Sequence, residues 1–502
     1  MSENLTSLRR LLWLAFILAV AVALIVIYAV IHRPAPDVVV DFSNRTAGAP
    51  ITRDLLGSGG VGSTLSNNAG MKLITDSNIR GNRIWAALDL IYKTSTPDYG
   101  LFDQQLARAT ANGLDPIIEL SGAPAGMGSS WCDVPTGANI ALWADDAAAV
   151  AAHIEQLSPG KRLEIWNEPD SSVSSCVSKD MLTDYMNLFA AAAPKVKQAA
   201  PTSKVGGPAL AAPGPNTSTW IPALLSDPRT APYMEFVSYH VYITGQWDLD
   251  NGMNWQSSYN LTVDPNRGYQ YLYRQLEALV RKGKQPNAAH TPIYLTEYNL
   301  NWVFKPNCCQ NEPSYGPLWN AVLISEMLNA VNDGASTVVD GLVYFMAASA
   351  NNYFCLVGAP SSDYTNCQWP AGSDGPTGDK TYAVYPSLLT FQMFAQNDAL
   401  GIEDGGYVVH RPTAPESLRT VALYTQSGDS VVLINPTSTD YPELKVQLKN
   451  VGLQHLQGES FVIVNNQLIR STPMLRPRKD GIETTVALPP YSTVAVKLSE
   501  GN

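Results

Sequence analysis

The chain has 502 residues, a formal net charge of −11 and only 15% charged side chains. That length exceeds one small domain and fits a barrel of about 250 residues or more with an accessory domain. The acidic balance offers no basic face for nucleic acid, so a neutral or polar ligand is expected.

Residues 1–10 read as a short tail. Leu11 to Ile31 are 21 consecutive uncharged, almost wholly apolar residues between Arg9–Arg10 and His32–Arg33. A run of that length spans a bilayer core as a helix and exceeds the roughly 7–15 residues of a signal peptide's apolar region. The expectation is an uncleaved single-pass signal anchor, which makes the protein membrane-anchored with an extracytoplasmic catalytic domain. A cleaved signal, giving a secreted protein, is the alternative. Pro34 to Asp37 make a short stalk.

From residue 38 to 400 short apolar runs alternate with amphipathic stretches. The spacing predicts strands at 55–61, 83–87, 116–120, 162–166, 204–207, 236–240, 293–296 and 341–346. Helices are predicted near 67–80, 101–112, 139–157, 179–199, 217–225, 267–283, 315–333 and 383–396. Ile140 to Glu155 is alanine-rich with a helical apolar stripe. Eight strand–helix units in succession call for an α/β fold of the (β/α)8 type, a TIM barrel. From 401 to 502 the rhythm changes to short β-rich runs broken by Gly, Pro, Asn and Asp, which reads as an antiparallel β-sandwich. The segment 38–44, with Val38 to Phe42 at its heart, is a candidate strand of that same sandwich.

Two glutamates carry the chemistry. Glu168 ends Arg162-Leu-Glu-Ile-Trp-Asn-Glu, and Glu297 ends Pro292-Ile-Tyr-Leu-Thr-Glu. Each follows an apolar run that reads as a buried strand, so each carboxylate falls at a strand's C-terminal end, where parallel barrels place their active sites. A retaining glycosidase needs a protonated carboxyl and an ionised carboxylate about 5–5.5 Å apart. Placed across the mouth between barrel strands four and seven, this pair is expected to allow that geometry. Arg83, in strand two, is the candidate for holding one of them ionised, and His240 and Tyr242, on one side of strand six, are candidate donors to Glu297 or to a sugar hydroxyl.

Asn-Glu-Pro after strand four and Thr-Glu-Tyr-Asn after strand seven resemble the motifs of glycoside hydrolase clan A. Together with Ser238-Tyr-His-Val-Tyr242 and Phe102 to Pro116, they most resemble family 39 and its relatives. The resemblance implies that Glu168 is the acid/base, that Asn167 contacts the sugar 2-hydroxyl, and that Glu297 is the nucleophile. It covers roughly residues 50 to 400, plus a C-terminal sandwich of the kind such enzymes carry. Tyr298 stands where family 39 commonly has Trp, and the loops after strands seven and eight are long and cysteine-bearing.

Aromatic residues supply further candidates for stacking on sugar rings: Trp302, five residues past the nucleophile, and Trp85, with Trp131, Trp166, Trp247, Trp255 and Trp369 in loops or at strand ends of the same face. Six cysteines, Cys132, Cys176, Cys308, Cys309, Cys355 and Cys367, fall in loops after strands three, four, seven and eight, and are disulfide candidates at the rim of the cleft. Cys355–Cys367 and Cys132–Cys176 are pairings that would pin single loops or neighbouring ones. Asn44, Asn216 and Asn260 begin glycosylation sequons. The histidines lack metal-binding spacing and the Gly57 to Gly62 run lacks a phosphate loop's Lys-Ser/Thr ending, so no metal or other cofactor is expected. The expected partner is an oligo- or polysaccharide. The chain reads as a retaining O-glycosidase, with a transglycosylase or a catalytically silent carbohydrate-binding protein as the other readings of the same site; xyloside, glucuronide, arabinoside and cell-surface polysaccharide all remain open as substrates.

Overall fold

The computed structural model describes residues 13, 20, 37–43, 50–60, 68–127, 134–171, 181–211, 213–244, 254–283, 291–301, 315–348, 355–360, 381–396, 398–402, 405–425, 428–451 and 456–500. Strand β1, Val38–Asp41, precedes a closed barrel of eight parallel strands. These are β2 Leu56–Gly59, β3 Gly81–Ala87, β4 Asp115–Ser121, β5 Arg162–Ile165, β6 Lys204–Leu210, β7 Phe236–Thr244, β8 Ile293–Asn301 and β9 Gly341–Tyr344. The barrel strands are almost wholly buried, because helices cover one face and the packed barrel interior covers the other. That is why they read as continuous apolar runs. Where β2 meets β3, Gly57 pairs with Gly81. A Cβ on Gly57 would lie 2.9 Å from the Gly81 carbonyl carbon, and one on Gly81 would lie 2.8 Å from Asp54 O, so both positions need glycine.

The helices between strands are α1 Asn68–Asp76, α2 Leu88–Ile91, α3 Gly100–Ala111, α4 Asn139–Leu157, α5 Met181–Ala199, α6 Pro213–Ser226, α7 Trp255–Thr262, α8 Tyr269–Gly283, α9 Gly316–Asn329 and α10 Pro386–Ala395. Most are amphipathic, but α9 is buried on every side. The reason is its place between the barrel and a second layer of sheet. Two short strands, β10 Val357–Gly358 and β11 Ala383–Val384, pair with each other.

Beyond residue 405 the strands are β12 Tyr407–Val408, β13 Arg419–Thr425, β14 Gly428–Asn435, β15 Tyr441–Lys449, β16 Leu456–Val464, β17 Gln467–Ser471, β18 Arg476–Arg478, β19 Gly481–Leu488 and β20 Ser492–Glu500. They form a sheet ordered β12-β13-β14-β20-β16-β17 and a sheet ordered β1-β15-β19-β18. The early strand β1 does enter the C-terminal sheet, parallel to β15 with Val38 opposite Val446. Alternation decides the packing. Val431, Leu433, Val494 and Val496 meet Val38, Val40, Val446 and Val486 in one core. Val432, Ile434 and Ala495, one residue out of phase, join the core of the barrel layer instead. The six-stranded sheet is therefore covered on both faces, and α9 is one of the covers. Polar contacts stitch the same seam: Asn329 Nδ2 donates to Thr420 O at 2.8 Å, Trp255 Nε1 to Pro436 O at 2.9 Å and Lys497 Nζ to Ala399 O at 2.8 Å.

The expected membrane anchor over 11–31 is corrected here. Among the described residues no helix is long and apolar enough to cross a membrane. The long helices α4 and α5, 19 residues each, pack on one another around alanine-rich faces and carry charged residues on their other sides. Of the segment 11–31 only Trp13 and Val20 are described, and the rest lies outside the described residues. The single-pass, membrane-anchored, extracytoplasmic placement has no spanning helix among the described residues to rest on.

Candidate active site

A charged layer crosses the barrel interior just below its C-terminal mouth. Trp85 of β3 is level with Glu119 of β4, which is level with Glu164 of β5. Arg83, two residues before Trp85 and so on the same strand face, is 1% exposed. A guanidinium that deep needs carboxylate partners. Its Nε donates to Glu164 Oε2 at 2.7 Å, its Nη1 to Glu297 Oε1 at 2.6 Å and its Nη2 to Asn167 Oδ1 at 2.9 Å. Nη2 also lies 2.6 Å from Glu119 Oε2 and 2.6 Å from Glu164 Oε2. Burial alone would lower the Arg83 pKa, but Glu119, Glu164 and Glu297 together raise it above its ordinary value.

Glu297 reaches this layer through a break in strand register. Along β7–β8 the pairing slips between Tyr239/Leu295 and His240/Glu297, and along β8–β9 between Leu295 and Tyr298. Such an irregularity re-aims a side chain. The Glu297 carboxylate takes Arg83 on Oε1 and the Tyr242 hydroxyl on Oε2, at 2.7 Å. Burial, reinforced by the Glu297 charge, pushes the Tyr242 phenol well above its ordinary pKa, so it stays a donor.

Glu168 stands on a strained turn. Trp166 has φ 70° and Glu168 φ 47°, left-handed values that side-chain-bearing residues rarely adopt and that cost on the order of 1–3 kcal/mol each. The surroundings hold them there. Trp166 N donates to Leu120 O at 2.8 Å and Glu168 N to Ala209 O at 3.1 Å. The buried Trp166 indole packs edge-on against Trp143, centroids 5.5 Å apart, and Trp143 Nε1 is tied to Gly122 O at 2.8 Å. Asp170 accepts from Ala211 N and Asn216 Nδ2, fixing the far side of the turn. His240 Nδ1 lies 2.7 Å from Glu168 Oε1 and 3.7 Å from Glu297 Oε2. Burial works against the imidazolium, yet Glu297 and Glu168 outweigh it and raise the His240 pKa.

One oxygen of each glutamate and one His240 nitrogen all lie within 4.8 Å of one another. In principle that trio offers three metal ligands. Arg83, Tyr242 and the His240–Glu168 pairing already occupy those atoms, so a cation there would displace a buried guanidinium's partner. The geometry suits carboxylate chemistry.

Above the pair opens a cavity of about 710 Å³ lined by Trp85, Tyr242, Phe345, Leu101, Asn167 and both glutamates, with others. Trp85 and Phe345 are 6.3 Å apart by ring centroid, and Phe345 and Tyr242 6.4 Å. The sequence candidates Arg83, Trp85, Asn167, Glu168, His240, Tyr242 and Glu297 thus converge. Trp302, Trp131, Trp247 and Trp369 lie outside the described residues, as do Cys132, Cys176, Cys308, Cys309 and Cys367. Cys355 is buried and disulfide-bonded. Two tryptophans grouped with the sugar platforms are structural instead: Trp166 supports the Glu168 turn, and Trp255 stacks on Tyr315 at 5.0 Å in the seam to the sandwich. Sequence reasoning passed over Glu119, Glu164, Ser121 and Phe345. The available signal was a lone charge inside an apolar strand, which must find a partner.

Residues 99–345 match the family model described as Glycosyl hydrolases family 39. Over that stretch, just under half of its length, the chain resembles the family 39 glycosyl hydrolases. Among curated proteins, this family 39-like chain is 26% identical over 200 residues to a β-xylosidase of Geobacillus stearothermophilus, a match covering 38% of this chain and 36% of that protein. The match therefore spans about a third of the relative's length. Among solved structures, a monomeric β-xylosidase from Caulobacter crescentus CB15 superposes with a TM-score of 0.64 at 17% identity, covering 93% of this chain and 100% of that one. The bacterial orthologue of human α-L-iduronidase gives a TM-score of 0.66 at 13% identity over 92% and 84%. At those identities the likeness is one of fold, and it covers barrel and sandwich together.

Proposed function

We propose that the protein is a retaining glycoside hydrolase in which Glu168 is the acid/base and Glu297 the nucleophile. The observation that carries this reading is that one oxygen of each carboxylate lies within 4.8 Å of the other, a closeness that suits direct attack on the sugar better than the wider gap an inverting enzyme keeps for its water. Glu297, gripped by Arg83 and Tyr242, attacks the anomeric carbon as Glu168 gives its proton to the leaving oxygen. The glycosyl–Glu297 ester then forms. Glu168, now a carboxylate, takes a proton from water as that water displaces Glu297, and the anomeric configuration is restored. His240 orients Glu168 through its 2.7 Å contact, and Asn167, whose amide oxygen is fixed by Arg83, is left with its NH2 to meet the 2-hydroxyl. The β-xylosidase relatives make a xyloside the first substrate to try.

Proton NMR of the first sugar released from an aryl glycoside is expected to show the starting anomeric configuration. Initial release of the opposite anomer would sink the nucleophile assignment. Glu168→Ala is expected to slow substrates with poor leaving groups by about 10²–10⁴-fold while sparing those, such as dinitrophenyl glycosides, whose leaving group needs no proton. Equal loss on both would mean that Glu168 has another role.

A further inference from the structure

The mechanism uses Arg83 and two glutamates, but a third carboxylate faces the same cavity. Glu119 is 3% exposed and lines the cavity floor with Ser121 and Asn167. Its Oε1 accepts the Ser121 hydroxyl, and its Oε2 meets Arg83 Nη2 at 2.6 Å. That nitrogen carries two hydrogens yet faces three oxygens, of Glu119, Glu164 and Asn167. Glu119 Oε2 is the oxygen that receives no aligned hydrogen bond. Glu164 is better served, since it takes Nε of Arg83 and the Thr296 hydroxyl at 3.2 Å, is 0% exposed and does not border the cavity.

We propose that Glu119 is a further positioning residue: by gaining or losing a proton it changes the competition for Arg83, and so governs the field in which Glu297 and Glu168 work. The groups facing it are Arg83 from β3, Glu164 from β5 and Glu297 from β8, with Asp89 and Lys93 on the same cavity wall. When Glu119 is ionised, one guanidinium serves three carboxylates. When it is protonated, two share it, and the hold on Glu297 strengthens. Burial pushes the Glu119 carboxyl up to about 7 against the pull of Arg83, so the exchange falls within the working range of a neutral-pH enzyme.

The inference rests on the hydrolase reading and is tested apart from it. The pH profile of kcat/KM is measured on an aryl glycoside whose poor leaving group needs the Glu168 proton, for the wild type, Glu119→Gln and Ser121→Ala. In Glu119→Gln the acidic limb is expected to stay, because Glu119 is already protonated there. The alkaline limb should move to lower pH by about 0.5–1 pH unit, because a negative charge near the proton donor is gone. Ser121→Ala removes a hydrogen bond that favours the ionised form and is expected to shift the limb the same way by less. Both limbs unmoved, with activity lowered evenly, would overturn the proposal. If Glu119→Gln does not fold, the Ser121→Ala limb decides. If the wild type cleaves no glycoside, the hydrolase reading fails, while NMR titration of the His240 ring still tests this inference without turnover. Its midpoint should fall in Glu119→Gln or, if that variant does not fold, in Ser121→Ala; an unmoved midpoint rejects the proposal.

Discussion

Glu297→Ala is expected to lower turnover by on the order of 10⁵-fold or more, the scale seen when an enzyme loses its nucleophile. The fold should survive, because the replaced side chain lies at the cavity floor and its removal leaves Arg83 paired with Glu119 and Glu164. Added azide separates loss of the nucleophile from general damage. It fits where the carboxylate was, attacks once from the same side, and is expected to give a glycosyl azide of opposite anomeric configuration. Near-normal hydrolysis by the variant, or azide product of retained configuration, would remove Glu297 from the chemistry.

Arg83→Leu is expected to have the largest effect on stability. It strands Glu119, Glu164 and Glu297 without their shared cation, and breaking a buried pair this way costs about 3–5 kcal/mol. The pH dependence has a definite sign. Burial already holds the Glu119 carboxyl above its unfolded value, and without Arg83 the main pull against it is gone, so this penalty is absent below the unfolded value of about 4.3 and grows as pH rises past it. Denaturant melts of variant and wild type at pH 4 and pH 7 give the check. A deficit independent of pH would point to lost packing in place of lost charge pairing.

Much of this was legible in the chain. The eight barrel strands announced themselves because strands buried on both faces are short apolar runs, and the two glutamates because each closes such a run. The charged layer beneath them was not, since Glu119 and Glu164 look like interruptions of Pro116-Ile-Ile-Glu-Leu and Arg162-Leu-Glu-Ile. Their partnership with Arg83 depends on strand register, which single-sequence spacing does not give. Phe345 was hidden for the same reason, as its neighbours Trp85 and Tyr242 come from other strands. Helix α9 was found, but its burial on every side follows from a sheet contributed a hundred residues later. The anchor over 11–31 rested on length and apolarity alone, and no spanning helix among the described residues upholds it.

The parallel pairing of β1 with β15 also sets an order of events during synthesis. Asp37 accepts a hydrogen bond from Lys445 N, 408 residues further along. At about 5–20 residues per second, the ribosome needs roughly 20–80 s to deliver that partner. Through that interval Val38, Val39 and Val40 form a sticky ribbon with nothing to adhere to, a hazard that a bare strand edge always brings. The barrel must close around a loose end, and only the last hundred residues gather that end in. A fragment cut after the barrel keeps the ribbon and loses its shelter, and it bares α9 at the same stroke.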